Sequence, residues 1–163
     1  MENSEKKAFY ELLCRQAEQL LLGERHPLAN LCNAAALLYE ALPRVNWSGF
    51  YLMNRGELLL GPFQGKPACM HIAVGKGVCG TAAQLGKAQL VRDVHAFPGH
   101  IACDSASNSE VVIPLWDGPQ LVGVLDIDSP ELSRFDETDL EGLIAFAAVL
   151  QDCCDWERAS YCR

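Results

Sequence analysis

No two cysteines in this chain are separated by two residues, although it contains eight. That absence removes both the commonest zinc knuckle and the thioredoxin-type redox pair. Positive charge is also scarce, with 13 lysines and arginines against 21 aspartates and glutamates, for a formal net charge of −8 at pH 7. A field of that sign repels phosphate backbones and anionic lipid headgroups, so neither nucleic acid nor a membrane surface is expected as a partner. Long apolar runs are missing too: "GLIAFAAVL" falls far short of the ~20 residues a membrane span needs. The opening "MENSEKKAFYELL" is charged and has no apolar signal core. With no repeat, low-complexity tract or linker, the expectation is one cytoplasmic domain over residues 1–163. Thiols in that compartment stay reduced unless they do redox work, so the cysteines are not a disulfide framework.

Half of the 163 residues are hydrophobic, enough for a real core. Phe9, Leu12, Leu13, Leu20 and Leu21 recur at helical spacing until Gly23 supplies a stop. Pro27 opens a second amphipathic helix, which Pro43 closes. From Asn46 the pattern changes to short strand-like runs: "NWSGFYLM", "ELLLGPF", "ACMHIAV", "AQLVRDV", "EVVIPLW" and "QLVGVLDID". A short helix follows "GKG" at Gly75 to Gly77, and a long one begins near Asp136. Strands grouped between helices predict an α+β domain with a largely antiparallel sheet. The stretch from Asp93 to Asn108 is too long for an idle connection and reads as a functional loop.

That loop contains Cys103 in "HIACDSASNSE", a thiol in a mostly small and polar setting, although unpaired cysteine usually seeks the core. Asp126 and Asp128 in "VLDIDSP" share one face of a strand, leaving Leu125 and Ile127 for the core. Taken alone, such a pair is more often two solvated acids at an exposed strand end. The preceding hairpin shifts that balance. Pro119 cannot donate the bond that would close an Asp117-Gly118 loop, so a three-residue loop is expected, with Trp116 paired to Gln120 and Glu110 opposite Asp126. Three carboxylates then converge beside Cys103, and such a cluster calls for an ammonium or metal ligand. Trp47, Gly49 and Tyr51 alternate onto one face, as core aromatics or as the wall of a small-ligand pocket with Gly49 making room. "GKGVCGT" fits no phosphate-binding fingerprint and reads as a tight turn carrying Cys79. Cys69, His71, Cys79, His95, His100 and Cys103 are zinc-suited types, but their spacings match no usual ligand pairing, so no metal is expected. A cysteine hydrolase using Cys103 and His100 is disfavoured, because such partners come from distant sequence.

The blocks "NWSGFYL", "LGPFQGKPAC", "GKGVCGTAA", "DVHAFPGHIACDSASNSE", "VIPL" and "GVLDIDSP" resemble the signatures of free methionine-(R)-sulfoxide reductases, a GAF-domain enzyme family. The match runs with even spacing from about Asn46 to Asp139. The resemblance implies a single GAF domain, with a central antiparallel sheet, the N- and C-terminal helices on one side and a ligand pocket on the other, usually in a homodimer. It implies no cofactor, the R-epimer of free methionine sulfoxide as substrate, and thioredoxin as reductant. Carried over by motif, Cys103 is the nucleophile, Cys69 the resolving thiol and Cys79 an auxiliary one. Glu110, Asp126 and Asp128 match the pocket acids, and Trp47 and Tyr51 the pocket aromatics. Cys14, Cys32, Cys153, Cys154 and Cys162 lie outside the family pattern. A GAF module that only binds a ligand and signals is the rival reading; such modules are usually fused to an output domain, for which 163 residues leave no room.

The implied chemistry suits the residues. A thiolate attacking sulfoxide sulfur must release a protonated oxygen, and Glu110, crowded by two other acids, would have a raised pKa and supply the proton. The resulting sulfenic acid on Cys103 would condense with Cys69 to a disulfide that a dithiol reopens. The remaining carboxylates would hold the substrate ammonium, which a methionine within a peptide lacks. Asp104 and the pocket acids oppose a Cys103 thiolate, so the substrate ammonium is expected to activate the thiol as it binds.

Overall fold

The structure is a computed structural model describing residues 3–101 and 103–159. Helices α1 (Asn3–Leu20) and α2 (Pro27–Ala41) lead, followed by strands β1 (Trp47–Asn54), β2 (Glu57–Gly65) and β3 (His71–Ala73). Helix α3 (Gly77–Leu85) and strand β4 (Gln89–Val91) precede a long hairpin of β5 (Ser109–Asp117) and β6 (Gln120–Ser129), and helix α4 (Glu137–Cys153) comes after it. The six strands form one antiparallel sheet in the order β3-β2-β1-β6-β5-β4. The expected α+β class is the one observed.

Local chemistry sets the boundaries. Gly23, at φ +83°, takes the left-handed conformation that ends the first helical stretch. Pro27 sits at the start of α2, where a missing N–H costs no bond, and the His26 ring accepts from the Leu28 N–H. Asp136 caps α4 and forms a reciprocal capping box with Asp139. β3 and β4 keep only three residues each of longer strand-like runs, since both are edge strands with a partner on one side alone.

Period-two alternation sorts the sheet into two faces. Phe50 and Leu52 of β1, Val111, Ile113 and Leu115 of β5, and Leu125 and Ile127 of β6 pack under α1, α2 and α4 in the main core. Trp47, Tyr51, Val112 and Val124 face the other way, against Val78, Cys79 and Ala82 of α3. Glu110, Asp126 and Asp128 are in phase with this second set, so one helix and a set of loops, rather than the main core, cover them.

The hairpin corrects an expectation. The loop is the two residues Gly118 and Pro119, closed by an Asp117–Gln120 pair, with Gly118 at φ +55° and Pro119 where no ladder N–H is needed. A bulge beyond Trp116 adds Val122 to the β6 side, and Glu110 therefore pairs with Asp128, not Asp126. The error is two residues, an even number, so every side chain keeps its face.

Asp139 ties α1 to α4. Its buried carboxylate accepts from Tyr10 Oη at 2.8 Å and meets Lys6 Nζ at 2.9 Å and Arg134 Nη1 at 3.3 Å. Gly142 leaves the space that the Tyr10 ring fills. Replacing Asp139 with Ala would leave the Arg134 guanidinium buried without its partner. We expect a loss of roughly 3–5 kcal/mol of unfolding free energy, read from urea denaturation, with Asp139→Asn losing less.

Candidate active site

On the sheet face away from α1, α2 and α4, a cavity of about 40 Å³ is bounded by Trp47 and Tyr51 of β1, the acids of β5 and β6, the first turn of α3, and residues on either side of Cys103. Two adjacent strands deliver the acids, Glu110 from β5 and Asp126 and Asp128 from β6, and β1, which carries the aromatics, lies on the other side of β6. Glu110 and Asp128 are cross-strand partners, and Asp126 is two residues along the same face. Glu110 and Asp126 are buried, while Asp128 is partly exposed.

Cys69, beyond the end of β2, and Cys103 are joined by a disulfide that spans 34 residues, with Cα atoms 5.5 Å apart, an ordinary separation for such a bond. The segments carrying both sulfurs are held by polar contacts. Tyr51 Oη donates to the Cys69 carbonyl at 2.9 Å, and Trp47 Nε1 donates to the Lys66 carbonyl at 3.1 Å. Across the cavity, Asn46 Nδ2 reaches Asp104 Oδ2 at 3.2 Å and Ser107 Oγ at 3.1 Å, while Asp104 Oδ1 accepts from the Ala106 N–H at 2.8 Å. The aromatics are thus both wall and scaffold. Trp47 stacks between Phe63 at 5.2 Å and Tyr51 at 5.9 Å. A Cβ on Gly49 would meet Phe63 and the Trp47 ring, so this glycine makes room for the aromatic stack rather than for a ligand.

Cys79 lies in α3 with Sγ 3.9 Å from Glu110 Oε1. Burial above all, and then the neighbouring charges, push this thiol well above its ordinary range. Burial likewise holds Glu110 well above the usual carboxylate range, reinforced by Asp126 and Asp128. Asp126 is pushed up to about 6 by burial, and Asp128 rises well above its usual value for the same reason, with Asp126 adding to it. Burial also raises the Tyr51 hydroxyl, aided by Asp126, so it stays a donor at neutral pH. Asp126 Oδ1 is buried without a hydrogen-bond partner. A site with this much carboxyl character and so few donors is suited to a cation or a polar ligand rich in N–H groups.

Lys76 and His100 also line the cavity, a placement that the sequence did not assign to either. "GKG" does make a tight turn, with Gly75 at φ +86° and Gly77 at φ +61°, but that turn also sets Lys76 and the start of α3 on the cavity. His100, largely buried, places Nε2 4.0 Å from Glu110 Oε2, and burial lowers its pKa, with His95 adding to the effect. The six zinc-suited residues do not converge. His71 pairs with Glu57 at 2.7 Å on the surface, His95 contacts Asn108 at 3.0 Å, and Cys69 and Cys103 are bonded to each other. Cys14, Cys32 and Cys153 sit in helices and Cys154 caps α4, while Cys162 lies outside the described residues.

The GAF domain family model matches residues 33–152. The free methionine-R-sulfoxide reductase of Escherichia coli is 53% identical over 146 residues, covering 90% of this chain and 88% of its own. The chain belongs to the free methionine-R-sulfoxide reductase family of GAF-domain proteins. The structure of the Neisseria meningitidis free methionine-R-sulfoxide reductase in complex with its substrate superposes with a TM-score of 0.89 at 44% identity, covering 95% of this chain and 93% of that one. The reduced form of fRMsr of Staphylococcus aureus gives 0.87 at 51% identity, over 88% and 94% of the two chains. The span of the GAF domain match takes in the cavity lining, the hairpin carrying its acids and both bonded cysteines. Among the described residues of this GAF domain, no helix is long and apolar enough to cross a membrane.

Proposed function

We propose that this chain reduces free L-methionine (R)-S-oxide to L-methionine, with Cys103 as nucleophile, Cys69 as resolving thiol and Glu110 as proton donor. The observation that carries the reading is the placement of Cys103, bonded to Cys69, on the same small cavity as three carboxyl groups whose pKa values burial raises. Cys103 attacks the sulfoxide sulfur, and Glu110 protonates the departing oxygen. The protonated oxygen passes from the substrate sulfur to Cys103 Sγ as the transient sulfur–sulfur bond breaks with its electron pair going to the substrate, which leaves as the thioether while Cys103 is left as a sulfenic acid. The Cys69 thiol then displaces that oxygen as water and forms the disulfide.

Asp126 and Asp128 take the substrate ammonium, with the unpartnered Asp126 Oδ1 as its acceptor. The start of α3, with Lys76 beside it, suits the substrate carboxylate. The Trp47 and Tyr51 rings flank the thioether. Arrival of the ammonium offsets the carboxylates and favours the Cys103 thiolate, tying activation of the nucleophile to a filled site. The volume of about 40 Å³ is well short of a ~150 Å³ cavity that admits benzene, so in this reading the Cys103 segment withdraws when the disulfide is reduced and the substrate then enters. Cys79 serves as an auxiliary thiol whose loss slows turnover less than that of Cys69. Thioredoxin as reductant, a homodimeric state, a cytoplasmic setting and a part in the repair of oxidised methionine belong to the same reading and come from the family resemblance and composition.

NADPH consumption coupled through thioredoxin reductase and thioredoxin, with resolved epimers, tests the reading. We expect turnover of the free R-epimer, with N-acetylated or peptide-bound R-sulfoxide slower by at least about 100-fold, the cost of a buried carboxylate left unpaired, and the S-epimer slower because its oxygen points away from the proton donor. Equal rates for the N-acetylated substrate would overturn the ammonium assignment.

A further inference from the structure

Cys79 is the one cavity thiol outside the disulfide, and the chemistry above gives it only a supporting part. Its surroundings suit another. Cys79 Sγ and one oxygen each of Glu110 and Asp126 all lie within 4.8 Å of one another, the only such metal-suited group among the described residues. A tetrahedral zinc ion with bonds of about 2.0–2.3 Å holds its ligand atoms roughly 3.3–3.8 Å apart, so small side-chain shifts would close this set onto one ion. Asp126, 6% exposed, supplies an independent sign of a missing partner, since its Oδ1 is buried with no hydrogen bond. His100 Nε2 is 4.0 Å from Glu110 Oε2 and stands outside this group, which leaves the fourth position to water. A thiolate beside two carboxylates forms a set for zinc rather than for calcium or magnesium.

We propose that the Cys79–Glu110–Asp126 cluster, with water as the fourth ligand, binds one Zn²⁺ and that the bound ion excludes the substrate ammonium, making zinc a competitive inhibitor. The exclusion half rests on the reductase reading; the binding half does not. On binding, Cys79 gives up its thiol proton and any protonated carboxyl among the ligands gives up its own, so protons are released and nothing is oxidised or reduced. The ion takes Asp126, which the substrate ammonium would otherwise use, together with Glu110, the proton donor, and adds positive charge where the ammonium would sit. Because Cys69 and Cys103 are not ligands, the site persists in the disulfide form, which separates this mode from simple capture of the nucleophile by a metal.

Co²⁺ in place of Zn²⁺ makes the site visible. The full chain with the Cys69–Cys103 disulfide intact, freed of metal by chelation, is titrated with Co²⁺ and then back-titrated with Zn²⁺. We expect one equivalent bound, a thiolate-to-cobalt charge-transfer band in the near ultraviolet, and full displacement by one equivalent of Zn²⁺. Cys103→Ser keeps the band. Cys79→Ser abolishes it, and Asp126→Asn keeps the thiolate band while weakening affinity by about 100-fold or more, a check that survives if Cys79→Ser fails to fold. Absence of the band in the disulfide form, or its loss in Cys103→Ser, would overturn the site. In chelator-treated reduced enzyme, sulfoxide reduction is expected, with the apparent KM rising in proportion to free Zn²⁺ at constant kcat. A band without competition would discard the exclusion and keep the site. No methionine even in the absence of metal would strike the reductase reading alone.

Discussion

Cys103→Ser is expected to form no methionine even in a single turnover, because a hydroxyl cannot replace a thiolate as nucleophile toward sulfoxide sulfur. Cys69→Ser is expected to behave differently. Its Cys103 still attacks, so a rapid quench should find about one methionine per enzyme and a Cys103 sulfenic acid trappable by a dimedone-type reagent, after which thioredoxin supports little turnover because no efficient disulfide forms. The two thiols join in one bond with Cα atoms only 5.5 Å apart, so the structure treats them symmetrically. Only kinetics distinguishes attacker from resolver. Methionine from Cys103→Ser together with none from Cys69→Ser would invert the assignment.

Glu110→Gln is expected to separate catalysis from stability. Glutamine keeps the shape of the side chain but cannot give a proton to the departing oxygen, and loss of a positioned general acid costs roughly 10²–10⁴ in kcat. Stability should move the other way. The folded-state pKa of Glu110 is raised above its unfolded value by burial and by Asp126 and Asp128, so its contribution is fully present below the unfolded pKa and is lost as pH rises through the folded pKa. At pH 7 to 8 the wild-type fold therefore carries a penalty that the neutral amide lacks. We expect Glu110→Gln to unfold at a higher urea concentration at pH 7.5, by at least about 1 kcal/mol, with the advantage vanishing near pH 4. A variant that loses both activity and stability would mean that Glu110 is chiefly a structural hydrogen-bonding residue.

A site that disfavours its own fold at neutral pH is the expected cost of collecting like charges for a cationic ligand. The acids sit on two adjacent, hydrogen-bonded strands, so they cannot relax apart, and their repulsion is relieved only by protons or by a bound cation. Cys79 shares this condition. Its thiol is held protonated by the same burial, which makes it a poor redox partner in the resting pocket and a good ligand once a metal displaces the proton.

The sequence by itself determined the parts that depend on short-range chemistry. Helix ends at Gly23, Pro27 and Asp136 follow from backbone conformation and capping, and the faces of Leu125, Ile127, Asp126 and Asp128 follow from the period of a strand. An even register error left those faces intact, which is why the acid cluster was legible although its pairing was not. The motif blocks carried the family, since each is short and keeps its residues at fixed spacing. Tertiary structure alone decided what depends on contacts between distant segments. It paired Glu110 with Asp128 through a bulge that no local signal marks, and it gave the space at Gly49 to Phe63. It also set Cys79, Lys76 and His100 around one cavity. Whether a thiol in α3 comes to lie 3.9 Å from a carboxylate on β5 is settled by how a helix packs across a sheet, and packing is a property of the whole chain.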